Sequence, residues 1–242
     1  MDNNTFALIL AGGSGKRMGN PDKPKQFLML GGKPILVHTI EKFCVAVEFR
    51  SVIVLCPDMW VRQTKDLVSR YLPHLDHIEV VAGGPVRNDT IMKGLDYIEK
   101  RYGMDDDTIV VTHDAVRPFV SHRIIQENVA AMEKFDACDT VVAATDTIVE
   151  STNGEMISCI PNRRNYYQGQ TPQSFKATKL RTLYGRLSDE DKLILTDACK
   201  IFTMCEEPVA LIRGDVSNIK ITYPHDMRVA RAMMEQQGET DA

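Results

Sequence analysis

Near the start of the chain the apolar run Thr5-Phe6-Ala7-Leu8-Ile9-Leu10 opens into Ala11-Gly12-Gly13-Ser14-Gly15-Lys16-Arg17-Met18-Gly19 and then reaches Lys23-Pro24-Lys25-Gln26. The glycines let a backbone approach a ligand and turn its N–H groups inward. Arg17, Lys23 and Lys25 supply charge that backbone dipoles alone do not. Together they suit the binding of a polyphosphate. A Walker A loop is excluded, because Gly15-Lys16 is followed by Arg17 and the metal-binding hydroxyl is missing. A dinucleotide fingerprint is excluded too, because Met18 stands where the third glycine belongs. A glycine turn without a ligand is the other reading of the glycines, and the neighbouring cations argue against it.

Four further clusters carry chemistry. Gly83-Gly84-Pro85-Val86-Arg87-Asn88-Asp89-Thr90 has glycines that permit backbone contact with a flat base or ribose. Its Asn88, Asp89 and Thr90 suit either ligand binding or helix capping. Thr112-His113-Asp114-Ala115-Val116-Arg117-Pro118 ends an apolar run in a carboxylate. Asp114 suits Mg²⁺, a hard ion that prefers oxygen ligands and phosphates, and it equally suits a structural pair with Arg117. Pro161 to Gln173 holds the paired Arg163 and Arg164, whose planar forks match phosphate, although paired arginines also suit a solvated surface. Ser217-Asn218-Ile219-Lys220-Ile221-Thr222 places a lysine within an apolar run. A lysine buried there needs an anionic partner.

These clusters need a scaffold, and the pattern between them alternates. Strands are expected at 5–10, 51–56, 77–81, 108–112 and 140–144, and helices at 34–46, 59–71, 88–102 and 121–135. Such alternation implies βαβ units and a mostly parallel, twisted α/β sheet, with ligands beyond the carboxyl ends of the strands. From Asp146 the rhythm changes to two alternating runs around Asn153-Gly154, a hairpin signal. Residues 146–170 therefore read as an inserted β-arm whose apolar faces pack on another subunit. The α/β pattern resumes with helices at 176–187, 195–202 and 224–237 and strands at 209–212 and 218–222. The whole of 1–242 reads as one domain.

The 242 residues suffice for a substantial core. With 29 Lys and Arg against 33 Asp and Glu, the formal charge of −4 argues against a general nucleic-acid binder, so any anion site is local. Met1-Asp2-Asn3-Asn4 has no basic region followed by an apolar core, and no apolar run is long enough to span a membrane. A cytoplasmic protein is expected. The six cysteines contain no C-x-x-C pair and read as reduced packing residues.

Taken in order, L-A-G-G-x-G-x-R-M-G at 10–19, P-K-Q at 24–26, H-D-A-V-R-P-F at 113–119, Q-G-Q-T-P-Q at 168–173, T-D-A-C-K at 196–200 and N-I-K-I-T at 218–222 resemble the cytidylyltransferases that act on sugar-alcohol phosphates. Two branches of that family compete. Tyr167 to Gln173, Leu195 to Phe202 and Asp146 to Ser151 look like the ribitol-5-phosphate branch of teichoic acid synthesis, a cell wall polymer pathway. The 2-C-methyl-D-erythritol 4-phosphate branch of isoprenoid synthesis more often reads A-L-T-P-Q and T-D-E-A-S at the first two places.

The resemblance implies a Rossmann-like nucleotidyltransferase domain and a homodimer formed through the β-arm. It implies that an acceptor phosphate attacks the α-phosphorus of CTP, releasing diphosphate and, in the ribitol branch, CDP-ribitol. Arg17 and Lys25 would be catalytic, stabilising the transition state. Leu10, Ala11, Gly12, Gly13, Gly84, Pro85, Val86, Arg87, Asn88, Asp89, Thr90 and Ala115 would hold CTP, and Asp114 would hold Mg²⁺. Arg163 and Lys220 would bind the acceptor phosphate, with Arg163 serving the neighbouring subunit's site. A transient contact with a reductase that forms ribitol 5-phosphate is also implied. A non-catalytic sensor of CTP or a sugar phosphate is the alternative from another class.

Overall fold

The computed structural model describes residues 4–13, 24–46 and 49–240, with side chains through 236. The expectations for Arg17 and Lys23 fall outside the described residues.

The first strand, β1 (Thr5–Leu10), is apolar along its whole length because helices cover both faces of the sheet. A short antiparallel pair, β2 (Met29–Leu30) and β3 (Lys33–Pro34), leads into α1 (Ile35–Ala46). Then come β4 (Ser51–Cys56), α2 (Val61–Tyr71), β5 (Ile78–Ala82), α3 (Arg87–Tyr102), β6 (Ile109–Asp114), α4 (His122–Ala131) and β7 (Ala137–Ala143). The sequence-based boundaries for these elements lie within a few residues, because each is an apolar run or an amphipathic helix bounded by turn residues.

The second half departs from expectation in three places. Residues 167–176 form a ten-residue strand, β8 (Tyr167–Lys176), inserted antiparallel between β6 and β7. It has no apolar alternation and contains Pro172, both of which disguise a central strand. The fold accommodates the proline by a register shift between Asp139 and Val141, where Thr140 Oγ1 donates to the Pro172 carbonyl at 2.6 Å. The run 195–202 is not one helix: α5 (Ala177–Arg186) is followed by α6 (Asp189–Leu193) and α7 (Cys199–Met204), with Thr196 and Asp197 between the last two. After β9 (Ala210–Arg213), residues 218–222 run as irregular backbone rather than a strand, anchored by the Ile221 amide donating to the Val116 carbonyl at 2.9 Å. The described chain closes on α8 (Pro224–Thr240).

The arm is likewise less regular than a hairpin. It holds one isolated bridge, Glu150 to Cys159, closed by a turn in which Asn153 Oδ1 accepts from the Glu155 and Met156 amides. Val149, Met156, Ile157 and Ile160 are exposed on it, and Cys159, expected in a packing role, is exposed as well. A two-stranded ribbon with nothing against its apolar face does not build a long ladder by itself.

The main sheet runs β5-β4-β1-β6-β8-β7-β9, with β8 the strand that opposes its neighbours. Ala7, Ile9, Val52, Val54 and Val111 face α1, α2 and α4, whereas Phe6, Leu8, Ile53, Leu55, Val110 and Phe175 face α3, α5 and α7. This two-layered cover leaves the carboxyl ends of β1, β5 and β6 open to one cleft. No helix among the described residues is long and apolar enough to cross a membrane.

Candidate active site

The cleft is a cavity of about 280 Å³ lined by three stretches that converge from distant parts of the sequence. Leu10 to Gly13 follow β1, Gly84 to Arg87 with Thr90 lead from β5 into α3, and Asp114 to Val116 end β6. Lys25, Gln26 and Lys220 complete the wall. Most residues assigned to CTP from the sequence are thus brought together, with Lys25, expected to be catalytic, and Lys220, expected at the acceptor phosphate, beside them. Arg17 lies outside the described residues. Asn88 and Asp89 are not in the lining: Asn88 is buried, and Asp89 accepts from the Tyr184 hydroxyl at 2.9 Å. Neither caps α3, whose N-cap position is Val86 without a side-chain bond. Arg163 sits on the arm, where its guanidinium donates to the Thr145 carbonyl at 2.6 Å.

The loop before α3 is shaped by packing on itself. A Cβ on Gly84 would stand 2.5 Å from Asp89 Cβ, so no other residue fits without displacing the first turn of the helix. Thr90 Oγ1 accepts from the Gly84 amide at 3.0 Å and lies 2.9 Å from the Val86 carbonyl, fastening the loop to α3. Gly84 therefore serves the loop's own closure, and Thr90 is its clasp.

Lys25 opens a single 3-10 turn, Lys25–Phe27, and is only 8% exposed. Its aliphatic stem passes Gly13, whose hypothetical Cβ would lie 3.8 Å from Lys25 Cε. Gln26 fixes this turn to the glycine loop by donating from Nε2 to the Ala11 carbonyl at 2.7 Å. Gln26 stands in the P-K-Q motif, which by itself assigns it no role.

At the centre, three cations surround one carboxylate. Arg87 Nη1 pairs with Asp114 Oδ1, while Arg117 Nε and Lys220 Nζ approach Oδ2 at 3.4 and 2.9 Å. Burial alone would raise the Asp114 pKa, but Arg87, Lys220 and Arg117 together outweigh it and hold the carboxyl well below the usual range. The anionic partner expected for Lys220 is therefore Asp114. The Asp114–Arg117 pair, open as an alternative from the sequence, is present. Arg117 also donates from Nη1 to the Asn218 carbonyl at 2.7 Å.

The same geometry tests the metal expectation. Both oxygens of Asp114 are engaged by protein cations, and among the described residues no cluster of three or more His, Cys, Asp or Glu side chains could hold an ion. Asp114 thus anchors three cations, and it is also the one carboxylate in the cleft lining among the described residues that could meet an Mg²⁺ ion held chiefly by nucleotide phosphates.

A buried relay supports this anchor. His113 Nε2 lies 3.1 Å from the Arg117 carbonyl, which only accepts, so Nε2 carries the proton and Nδ1 is bare. Thr171 donates to Nδ1 at 3.0 Å, and its oxygen in turn accepts from the Asp114 amide at 3.1 Å. The Thr171 carbonyl accepts from Asn218 Nδ2 at 2.8 Å. Full burial drives the His113 pKa down to about 3, so the ring is neutral. Thr171 stands in a sequence motif that assigns it no role, because its partners are distant in sequence.

The chain as a whole is similar to known proteins. Residues 5–236 match the family model described as IspD: 2-C-methyl-D-erythritol 4-phosphate cytidylyltransferase. The 4-diphosphocytidyl-2C-methyl-D-erythritol synthase of Anaerococcus prevotii is 27% identical with a TM-score of 0.78, the match covering 96% of each chain. The 2-C-methyl-D-erythritol 4-phosphate cytidylyltransferase of Francisella tularensis is 26% identical with a TM-score of 0.77, covering 95% of this chain and 99% of that one. Its counterpart from Thermus thermophilus is 25% identical with a TM-score of 0.72, covering 94% and 97%. A match that runs from β1 into α8 and takes in every wall of the cleft places this chain in the IspD family of cytidylyltransferases.

Proposed function

We propose that the cleft binds CTP and a sugar-alcohol phosphate and joins them, releasing diphosphate. The observation that carries this reading is the convergence of Lys25, Arg87 and Lys220 on one cavity whose lining, among the described residues, contains a single acid, Asp114, already neutralised by cations. Such a wall favours polyanions.

The acceptor phosphate attacks the α-phosphorus of CTP; a new P–O bond forms as the bond to diphosphate breaks, and diphosphate carries away the electron pair. A phosphate monoester has its second pKa near 6, so the nucleophile is already largely ionised at neutral pH and no general base is assigned. The obstacle is charge, because an anion must approach a polyanion and more charge gathers at phosphorus. Fixed cations lower that barrier. Lys25, with Arg17, is assigned to the transition state. Leu10 to Gly13, Gly84 to Arg87, Thr90 and Ala115 are assigned to the nucleotide, Asn88 and Asp89 to the support of that loop, and Lys220 to the acceptor phosphate. A divalent cation would arrive with the triphosphate as part of the substrate and neutralise its charge.

We assign the acceptor as D-ribitol 5-phosphate, on the stretches 167–173, 195–202 and 146–151. The names of the matched family and of the solved structures favour 2-C-methyl-D-erythritol 4-phosphate, which is the second reading. Identities of 25–27% leave the side chains that select an acceptor free to differ. On the ribitol reading the product serves teichoic acid synthesis and a reductase supplies the acceptor. Arg163, on the exposed arm, is assigned to the site of a second subunit in a homodimer.

The test is diphosphate release by the purified protein with CTP and Mg²⁺, comparing the ribitol ester, the methylerythritol ester and no acceptor. Preference for the ribitol ester supports the assignment. Preference for the methylerythritol ester replaces the acceptor and keeps the chemistry, and silence with both overturns the transferase reading.

A further inference from the structure

Two of the stretches that carry the ribitol resemblance, 167–173 and 195–202, meet at one residue to which the sequence gives no role. Gln173 Nε2 donates to Asp139 Oδ1 at 2.9 Å and to Asp197 Oδ2 at 3.2 Å. Gln173 is 1% exposed, and its Oε1 has no hydrogen-bond partner. Gly169 places no side chain over Asp139: a Cβ there would lie 3.6 Å from Oδ2.

This group shares a sheet face with the cleft. Gln173 is in register with Thr112 on β6 and with Asp139 on β7, and Asp114 lies two residues beyond Thr112 on the same face. With strands about 4.8 Å apart, Asp139 stands about 10 Å across the sheet from Thr112. Arg87 and Arg117, which hold Asp114, are near enough to act electrostatically on Asp139. An acceptor with its phosphate at Lys220 would thus extend its carbon chain along this row.

We propose that Asp139, oriented by Gln173, reads the acceptor by taking hydrogen bonds from the hydroxyls of its carbon chain, while the phosphate lies toward Lys220. A carboxylate is an acceptor-only group and matches hydroxyl donors. The ribitol ester carries one free hydroxyl more than the methylerythritol ester, whose methyl group gains nothing beside a carboxylate. The inference rests on the transferase reading above and deepens it.

The experiment measures diphosphate release by the full-length wild type and by Asp139→Asn and Gly169→Ala, with KM determined separately for CTP and for each phosphate ester. Asp139→Asn is expected to raise the KM for the ribitol ester about tenfold or more, as suits a lost hydrogen bond to a charged group, with the KM for CTP unchanged. Gly169→Ala, which adds a methyl at ordinary contact distance from Oδ2, is expected to raise the same constant severalfold. An active wild type whose ribitol-ester KM is unmoved in both variants, or moves in step with that for CTP, overturns this inference alone. A wild type silent with both esters overturns the transferase reading and this inference with it.

Discussion

Lys220 Nζ lies 2.9 Å from Asp114 Oδ2, an ion pair that joins the loop after β9 to the carboxyl end of β6. Two arginines share the carboxylate, and the lysine is partly solvated. Its removal therefore leaves Asp114 paired. Lys220→Ala is expected to leave the melting temperature within a few degrees of wild type and to lower turnover roughly a hundredfold, the scale of a lost charge-stabilising donor. Thermal melts beside steady-state kinetics check this, and a collapse of the fold would show that the pair is chiefly structural.

Lys25 is buried beside the glycine loop and held there by the neighbouring Gln26 bond. Lys25→Ala is expected to remain folded with turnover lowered by roughly two orders of magnitude or more. Because Arg163 is assigned to a second subunit, mixed dimers of Lys25→Ala and Arg163→Ala chains should recover activity that neither homodimer has. Verified heterodimers without activity would return Arg163 to a surface role.

Thr171 is the hub of the relay between His113, Asp114 and Asn218. Thr171→Val leaves the His113 nitrogen and the Asp114 amide without partners, a cost of about 1–3 kcal/mol. The melting temperature should fall by several degrees, and turnover per folded molecule should fall with it as the cations lose their anchor. Thr171→Ser, which keeps the hydroxyl, should restore both. A valine variant as stable and as active as wild type would show that the hydroxyl bridge carries neither effect.

Acid and base act on opposite partners. Burial raises the Asp139 pKa to about 6, so its contribution to stability is complete below pH 4 and is lost as the pH rises through 6. Buried His113, lowered to about 3, contributes fully above pH 6.5 and loses that contribution as the pH falls toward 3. Asp139→Asn removes the first dependence and leaves the second. Its melting temperature, relative to wild type, should stand higher at pH 7 than at pH 4; a difference that does not change with pH would disconnect Asp139 from the titration.

Sequence alone determined the first half of the fold. β1, β4 and the start of β6 are apolar runs covered on both faces, β5 is a half-buried edge strand, and the helices between them are amphipathic, so local pattern and tertiary environment agree. It also determined most of the cleft, because glycine loops and cations at strand ends announce a phosphate site wherever the sheet closes. Tertiary structure alone decided β8, whose glycine, proline and glutamines read as loop until pairing on both flanks made them a strand. It brought Arg87, Arg117 and Lys220 onto Asp114, three partners that lie far apart along the chain or, as Arg117 does, compete with other readings of a lone carboxylate. It also brought Asp139 to Gln173 and Asp197. Hydrogen bonds and ion pairs act over a few ångströms in space, and separation along the chain carries no record of them.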